Sequence, residues 1–187
     1  MNENNKKSPH DGKGRYITQQ RLQNYALWYL QKQFPSKNWL RQKLQQFALR
    51  KKPSGQSMKD ITPWIDEVLL TLEKENIIND DRLAKNLASQ WQTRLIPFRK
   101  IAIKLHSKGF EKKTIDEVKT TLDKNGMLED EESLAKHYAM QKKLGVFATK
   151  KITGDKHTTQ KNYQKDLAKM ARAGFSYHAA QKALQDK

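Results

Sequence analysis

The chain has 187 residues, with 37 Lys or Arg against 20 Asp or Glu, and its formal net charge is +17. It has no cysteine, which excludes disulfide scaffolds, thiolate zinc sites and cysteine catalysis. No apolar run approaches the roughly 18 residues of a membrane span, and the polar N-terminus is not that of a signal peptide. We therefore expect a cytoplasmic protein, without membrane contact, whose partner is polyanionic, most often nucleic acid.

Start and stop signals for helices follow one another along the chain. Residues 1–17 are polar and basic, and we expect a disordered tail there. Apolar residues then recur at helical intervals, first behind the N-cap candidates Thr18 and Ser36 and later in a third stripe. The residues of the three predicted stripes are Leu22, Tyr25, Ala26 and Tyr29, then Leu40, Leu44 and Phe47, then Ile65, Val68, Leu69 and Leu72. Thr62-Pro63 is interpreted as a cap followed by proline at the first helical position. Helix ends are predicted at four glycines, Gly109, Gly126, Gly145 and Gly174. No segment alternates apolar and polar residues over a strand's length, which predicts an all-α fold.

An internal repeat divides the chain. Residues 65–74 and 115–124 are identical at seven of ten positions. Residues 104–110, KLHSKGF, resemble residues 169–175, KMARAGF, and so indicate a weaker third copy. Upstream, three residues match three others at an offset of 61: Leu40, Lys43 and Leu44 against Ile101, Lys104 and Leu105. The longer offset there indicates a loop insertion at 51–61. We therefore predict an elongated tandem array of three three-helix repeats, at 18–79, 80–128 and 129–187.

Positive charge is concentrated in the middle helix of each predicted repeat. Residues 36–52 hold six Lys or Arg and no acid. Lys100, Lys104 and Lys108 are spaced four apart and share a helix face, although like charges at this spacing destabilise a helix. The bias is either a solvated face or an anion-binding surface, and its recurrence in three helices favours the second. The predicted residues of this anion-binding surface are Lys37, Arg41, Lys43, Arg99, Lys100, Lys104, Lys108, Lys161, Lys165, Lys169 and Arg172.

No constellation for catalysis, cofactor binding or metal binding emerges from the sequence. It contains no Gly-rich phosphate loop and no HExxH or GxSxG motif. The acids at 129–132 precede a helix, where carboxylates favour the N-terminal dipole, and a metal site there is the weaker interpretation. Trp28, Trp64 and Trp91 lie beside apolar stripes and are predicted core residues. Trp39 lies in a basic helix and either packs between helices or stacks on a base.

Four stretches together resemble the bacterial RecX family. They are residues 21–44, 76–88, 98–118 and 169–184, so the resemblance covers about residues 18–185. It departs from the family pattern at Asn76, where glycine is usual, at Leu83, where phenylalanine is usual, and at 95–98, LIPF. The resemblance implies a non-enzymatic modulator of the RecA recombinase, acting in DNA repair, recombination and the SOS response. It further implies binding along the RecA–DNA filament, with restraint of ATP hydrolysis, strand exchange and filament growth.

A second hypothesis needs no RecA. The three-helix units would then act like helix-turn-helix modules in a stand-alone nucleic-acid-binding protein. The middle helices offer mostly lysine, which suits phosphate and reads base edges poorly, so binding to single- or double-stranded DNA would be electrostatic and non-specific. We expect a monomer under either hypothesis, and an enzyme under neither.

Overall fold

The computed structural model describes residues 16–148 and 156–185. Within these residues the chain forms nine α-helices and one short 3-10 turn, and no strand. The predicted all-α class is therefore confirmed. The chain divides between Asn79 and Asp80 into two compact units, called unit 1 and unit 2 below. The elongated arrangement of the repeats stays a prediction.

Unit 1 consists of three helices around one hydrophobic cluster. They are α1 (Gln19–Leu30), α2 (Lys37–Lys51) and α3 (Met58–Lys74). The predicted caps of the first two are confirmed, because the side-chain oxygens of Thr18 and Ser36 accept the backbone N–H of Arg21 and Trp39. The side chains that close the cluster come from all three helices and include the predicted stripes: Leu22, Ala26, Leu40, Leu44, Ile65, Val68, Leu69 and Leu72.

The predicted start of α3 at Thr62-Pro63 is wrong. The helix begins five residues earlier, with Ser57 as its cap, and Pro63 lies inside it. Burial decides this, because Ile61 in the first turns is fully enclosed in the core, which outweighs the one backbone hydrogen bond that proline cannot donate. The loop insertion predicted at 51–61 is therefore shorter, since Lys51 ends α2 and only residues 52–57 lie between the two helices.

The prediction of a tail over residues 1–17 is wrong at Ile17, which belongs to the fold. Residues 1–15 lie outside the described residues, but Ile17 is fully buried in the unit 1 core. The buried side chain of Gln56 accepts the Ile17 N–H at 2.8 Å and donates to its carbonyl at 2.7 Å. Ile17 directly precedes the Thr18 cap, which is the position of a hydrophobic staple. The prediction from the polar composition of residues 1–17 did not take this position into account.

Unit 2 begins with three helices that enclose a second hydrophobic cluster. These are α4 (Asp80–Gln92), α5 (Phe98–Ser107) and α6 (Lys112–Lys124). The cluster contains Ile101 and Leu105 of α5, together with Trp91 of α4. Gly109 and Gly126 have positive φ angles of 83° and 63°, which confirms the predicted helix ends there.

The rest of unit 2 encloses a third cluster. Its helices are α7 (Glu131–Lys142), α8 (Lys156–Ala173) and α9 (Tyr177–Gln185), with the 3-10 turn Gly145–Phe147. Gly174 ends α8 with φ at 105°, as predicted. The stop predicted at Gly145 is displaced, because Lys143 already adopts a left-handed conformation after the last residue of α7 and Gly145 opens the 3-10 turn instead.

Candidate nucleic-acid interface

The middle helices α2, α5 and α8 carry equivalent positions that the sequence repeat puts in register. Leu44, Leu105 and Met170 are equivalent and are all fully buried. The lysine before each of them is therefore equivalent too, and these are Lys43, Lys104 and Lys169. Positions four before and four after each lysine share its helix face. In α5 these positions hold Lys100 and Lys108, so one face presents three lysines.

Lys104 is the centre of a dense group of cations in unit 2. Its side chain is partly buried, and its Nζ lies 4.2 Å from the centroid of the Trp91 ring. Burial lowers the pKa of Lys104 below 10.5, and the positive charges of Lys100, Arg94 and Lys108 lower it further. Mutual repulsion of this kind is relieved when an anion binds. We define the α5 basic cluster as Arg94, Lys100, Lys104 and Lys108.

Sequence reasoning missed Arg94. It lies in the turn between α4 and α5, directly before Leu95, whose backbone is left-handed with φ at 56°. The chain turns back there, and the positive charge of Arg94 is near enough to Lys104 to lower the pKa of that lysine. The predicted basic residues of this repeat begin only at Arg99, within the helix.

Lys100 also has a structural role. Its ammonium group donates a hydrogen bond to the backbone carbonyl of Arg172, in the last turn of α8. Its methylene groups lie so close to Gly174 that a Cβ added there would be 2.7 Å from the Lys100 Cβ. The lysine therefore ties α5 to the end of α8, and Arg172 meets it through its backbone.

The basic residues at the start of α2 do not continue the lysine face. Lys37 Nζ forms an ion pair with Glu73 at 2.7 Å, and Arg41 forms one with Asp66. Both acids belong to α3, so these two cations are directed toward that helix. Lys43 lies on the other side of α2, with its Nζ 5.0 Å from the centroid of the Trp39 ring.

The predicted binding residues of α8, and Arg99 of α5, have different surroundings. Lys161 and Lys165 are exposed along α8. Lys169 forms an ion pair with Asp166 at 2.8 Å, and that carboxylate also accepts the N–H of Gly145 at 3.0 Å. Arg99 is exposed beside a shallow cavity that it lines together with several carboxylates.

The acids at 129–132 start α7, as predicted, and hold the third cluster together. Asp130 accepts the N–H of Ser133 at 3.0 Å, and its hydrogen bonds to Ser133 lower its pKa. Glu131 accepts the N–H of Ser176 at 2.7 Å, and Glu132 pairs with Lys182. Among the described residues, no three His, Asp or Glu side chains come together as a metal site would need.

Unit 1 carries an aromatic patch that the sequence did not predict. Trp28, predicted in the core, is 47% exposed, and this prediction is wrong. Trp91 is buried and Trp64 packs partly buried against the unit 1 core, as predicted. The indole Nε1–H of Trp39 donates to the Tyr29 hydroxyl at 3.2 Å, which shows that Trp39 packs between α1 and α2. We define the aromatic patch as Tyr25, Trp28, Tyr29, Trp39 and Phe47.

Comparison with known proteins adds sequence and fold relatives. No protein-family model matches the chain. The regulatory protein RecX of Myxococcus xanthus (strain DK1622) is 29% identical over 164 residues, which is 87% of this chain and 83% of that protein. The resemblance to RecX is confirmed. No helix within the described parts of the chain is long and apolar enough to cross a membrane.

Two solved structures share the fold. A crystal structure of regulatory protein RecX has a TM-score of 0.57 and 20% identity, and covers 90% of this chain and 72% of its own. The crystal structure of RecX from Lactobacillus salivarius has a TM-score of 0.56 and 18% identity, with coverage of 89% and 94%. At these identities the structures show a common fold.

The structure accounts for the departures from the RecX pattern. Asn76 has φ at 56°, the left-handed conformation that glycine adopts at the equivalent Gly126. Leu83 packs partly buried against the α4–α6 cluster in place of phenylalanine. Leu95 packs against the third cluster, and Pro97 precedes α5 in an extended conformation.

Proposed function

We propose that this protein is a non-enzymatic regulator that binds the RecA–DNA filament and restrains ATP hydrolysis, strand exchange and filament growth. Similarity to a protein named regulatory protein RecX supports the regulatory role. The α5 basic cluster is the observation that supports contact with the DNA of the filament. A partner of this kind places the protein in the cytoplasm, where it acts as a monomer.

The α5 basic cluster suits a phosphate backbone. Duplex DNA carries one negative charge per about 1.7 Å of its axis, so it can offer phosphates to several lysines at once. Lys104 is partly dehydrated by its position against Trp91 and is repelled by its neighbours, and a phosphate relieves that repulsion. Lysine acts on phosphate as a point charge and does not read sequence, so the contact is non-specific.

Weak contacts of this type gain strength when they are linked. A filament presents the same surface repeatedly, and a chain with several basic helices engages it at more than one place. We infer that regulation arises because the bound chain holds neighbouring protomers in states that are poor for hydrolysis or extension. DNA attraction then supplies part of the affinity, and it weakens as salt rises.

The second candidate is a stand-alone nucleic-acid-binding protein. The crowding of cations around Lys104 supports this function equally well, since it requires only a polyanion. Salt-sensitive DNA binding without any effect on RecA would favour it.

A RecA ATPase assay on single-stranded DNA tests the proposal. We expect the purified protein to lower the DNA-dependent ATPase of RecA in amounts below one per RecA, and to hydrolyse neither ATP nor DNA alone. Unchanged RecA activity at saturating amounts would contradict the regulatory proposal. Hydrolysis that remains after repurification would contradict the non-enzymatic part.

A further inference from the structure

The aromatic patch of unit 1 contains a row of stacked rings. Phe47 of α2 and Tyr25 of α1 stack with centroids 4.1 Å apart and ring planes 13° apart. Tyr25 in turn stacks on Trp28 at 5.6 Å and 29°. The row ends at Trp28, which lies half in solvent, whereas Tyr25 and Phe47 are partly buried. The stacked Tyr25 ring therefore supports the Trp28 ring from the protein side.

Cations lie over the rings of this row. The Arg21 guanidinium carbon is 5.6 Å from the Phe47 centroid, and Lys32 Nζ is 4.2 Å from the Trp28 centroid. Neither α1 nor α2 contains a single Asp or Glu. Aromatic faces and positive charge are thus combined on a surface of two helices that contribute no acid.

The sequence repeat shows what this surface replaces. On the face of α2 that is equivalent to the lysine face of α5, Trp39 and Phe47 stand where α5 has Lys100 and Lys108. Only the central lysine is kept, as Lys43. Unit 1 therefore has aromatic rings at two positions where unit 2 has lysines, and these rings support the exposed Trp28 through Tyr25 and Tyr29.

We propose that the aromatic patch is a stacking site for the unpaired bases of single-stranded nucleic acid, with Trp28 as the ring that receives the base. Stacking on aromatic side chains inside a basic surface is how single strands are held without sequence preference. An incoming base displaces the flexible Lys32 ammonium from the Trp28 face, and that ammonium then meets the adjoining phosphate. The proposal rests on the proposed function, which makes nucleic acid the ligand. It adds that unit 1 binds the single-stranded form.

Binding of fluorescently labelled strands of equal length and charge tests the site. The probes are a twenty-nucleotide oligothymidine and an abasic strand of the same length, measured by anisotropy at one salt concentration. We expect oligothymidine to bind at least about fivefold more tightly than the abasic strand, the lower end of what one stacked base contributes. Trp28→Leu should remove this ratio and Trp28→Phe should keep most of it, because phenylalanine retains a ring. Tyr177→Leu removes a comparably exposed ring from unit 2 and should leave the ratio unchanged.

Each outcome decides between the proposals. Equal affinity of the wild-type chain for the two strands overturns the stacking site but leaves the basic surface in place. An unchanged ratio in Trp28→Leu also overturns it, and a role for Trp28 in contacting protein then becomes the interpretation. Absence of binding to either strand overturns the DNA part of the proposed function as well. The wild-type comparison needs no variant, so a poorly folded Trp28→Leu does not remove the test.

Discussion

The middle helices of the first two repeats keep the same buried residues and differ on the face beside them. Leu40 and Leu44 in α2 are matched by Ile101 and Leu105 in α5, and all four are fully buried. The cations beside them have different partners. Those at the start of α2 pair with Glu73 and Asp66 of α3, whereas those of α5 crowd around Lys104.

The third helices of the two repeats, α3 and α6, keep two acids at equivalent positions, but the residues that face them differ. Asp66 and Glu73 are matched in α6 by Asp116 and Asp123, at an offset of 50. The positions of Lys37 and Arg41, however, are taken in α5 by Phe98 and Ala102. Burial therefore fixes the scaffold of a repeat and leaves its outer face open to change. In the first repeat two cations of the middle helix pair with these acids, whereas in the second the cations of the middle helix act on one another.

Charge reversal in the α5 basic cluster tests the comparison most strongly. Lys104→Glu with Lys108→Glu removes two candidate phosphate contacts. Each contact contributes about 0.9 to the slope of log affinity against log salt, so the loss at 0.1 M salt is about sixty-fold, with repulsion adding to it. Anisotropy titration of a labelled DNA duplex at two salt concentrations gives both the affinity and the slope.

The matched control reverses two cations elsewhere in unit 2. Lys112→Glu with Lys113→Glu makes the same change in net charge on the exposed first turn of α6. We expect a much smaller loss of duplex affinity there. Equal losses in the two double variants would mean that only the net charge matters and that α5 is a solvated face.

A substitution at Gly174 tests the structural role of Lys100 separately from DNA binding by Lys104 and Lys108. Gly174→Ala places a Cβ 2.7 Å from the Lys100 Cβ, in a backbone with φ at 105°. We expect a loss of about 2 kcal/mol in the free energy of unfolding, from left-handed strain and overpacking together. Gly126→Ala has φ at 63° and open space, and should lose about 1 kcal/mol from strain alone. Urea unfolding of both variants measures the difference, and equal losses would show that the Lys100 contact is not tight.

Local signals in the sequence predicted much of the fold. The Thr18 and Ser36 caps, the glycine at the end of α8 and the buried stripe of α3 depend on neighbours within one or two helical turns. Pro63 shows the limit of that reasoning, because burial of Ile61 in the core outweighed the local preference of proline.

The candidate site was harder to predict, because contacts distant in sequence determine it. The basic helices were visible in the composition, but the partner of Lys100 is 72 residues away along the chain. Arg94 reaches the cluster only through the left-handed turn at Leu95. Trp28 lies at the edge of the buried stripe that Leu22 and Ala26 form. Periodicity alone does not predict whether a side chain at that edge is buried or exposed.

The smallest expected effect is a pH dependence that Lys104 alone produces. Its pKa in the free protein is lowered below 10.5, first by burial and then by neighbouring cations. A bound phosphate favours the charged form and raises that pKa, so binding takes up a proton once the free lysine has begun to deprotonate. Duplex affinity should therefore fall as the pH rises through the lowered pKa, by up to about eightfold if one contact is lost at 0.1 M salt.

Deprotonation of Lys104 affects folding and binding in opposite directions. It raises the free energy of unfolding, whereas it lowers the affinity for the duplex. Folding disfavours the charged form of Lys104, which lowers the free energy of unfolding. This destabilisation is complete below the lowered pKa and is relieved as the pH rises toward 10.5. The titration of Lys104 therefore does not itself unfold the protein in this range. Lys104→Arg keeps its charge throughout and should show a flatter pH profile of duplex affinity than the wild type. Parallel profiles would mean that Lys104 does not contact the phosphates, and the anion site would then have to be sought at Arg94 and Lys108.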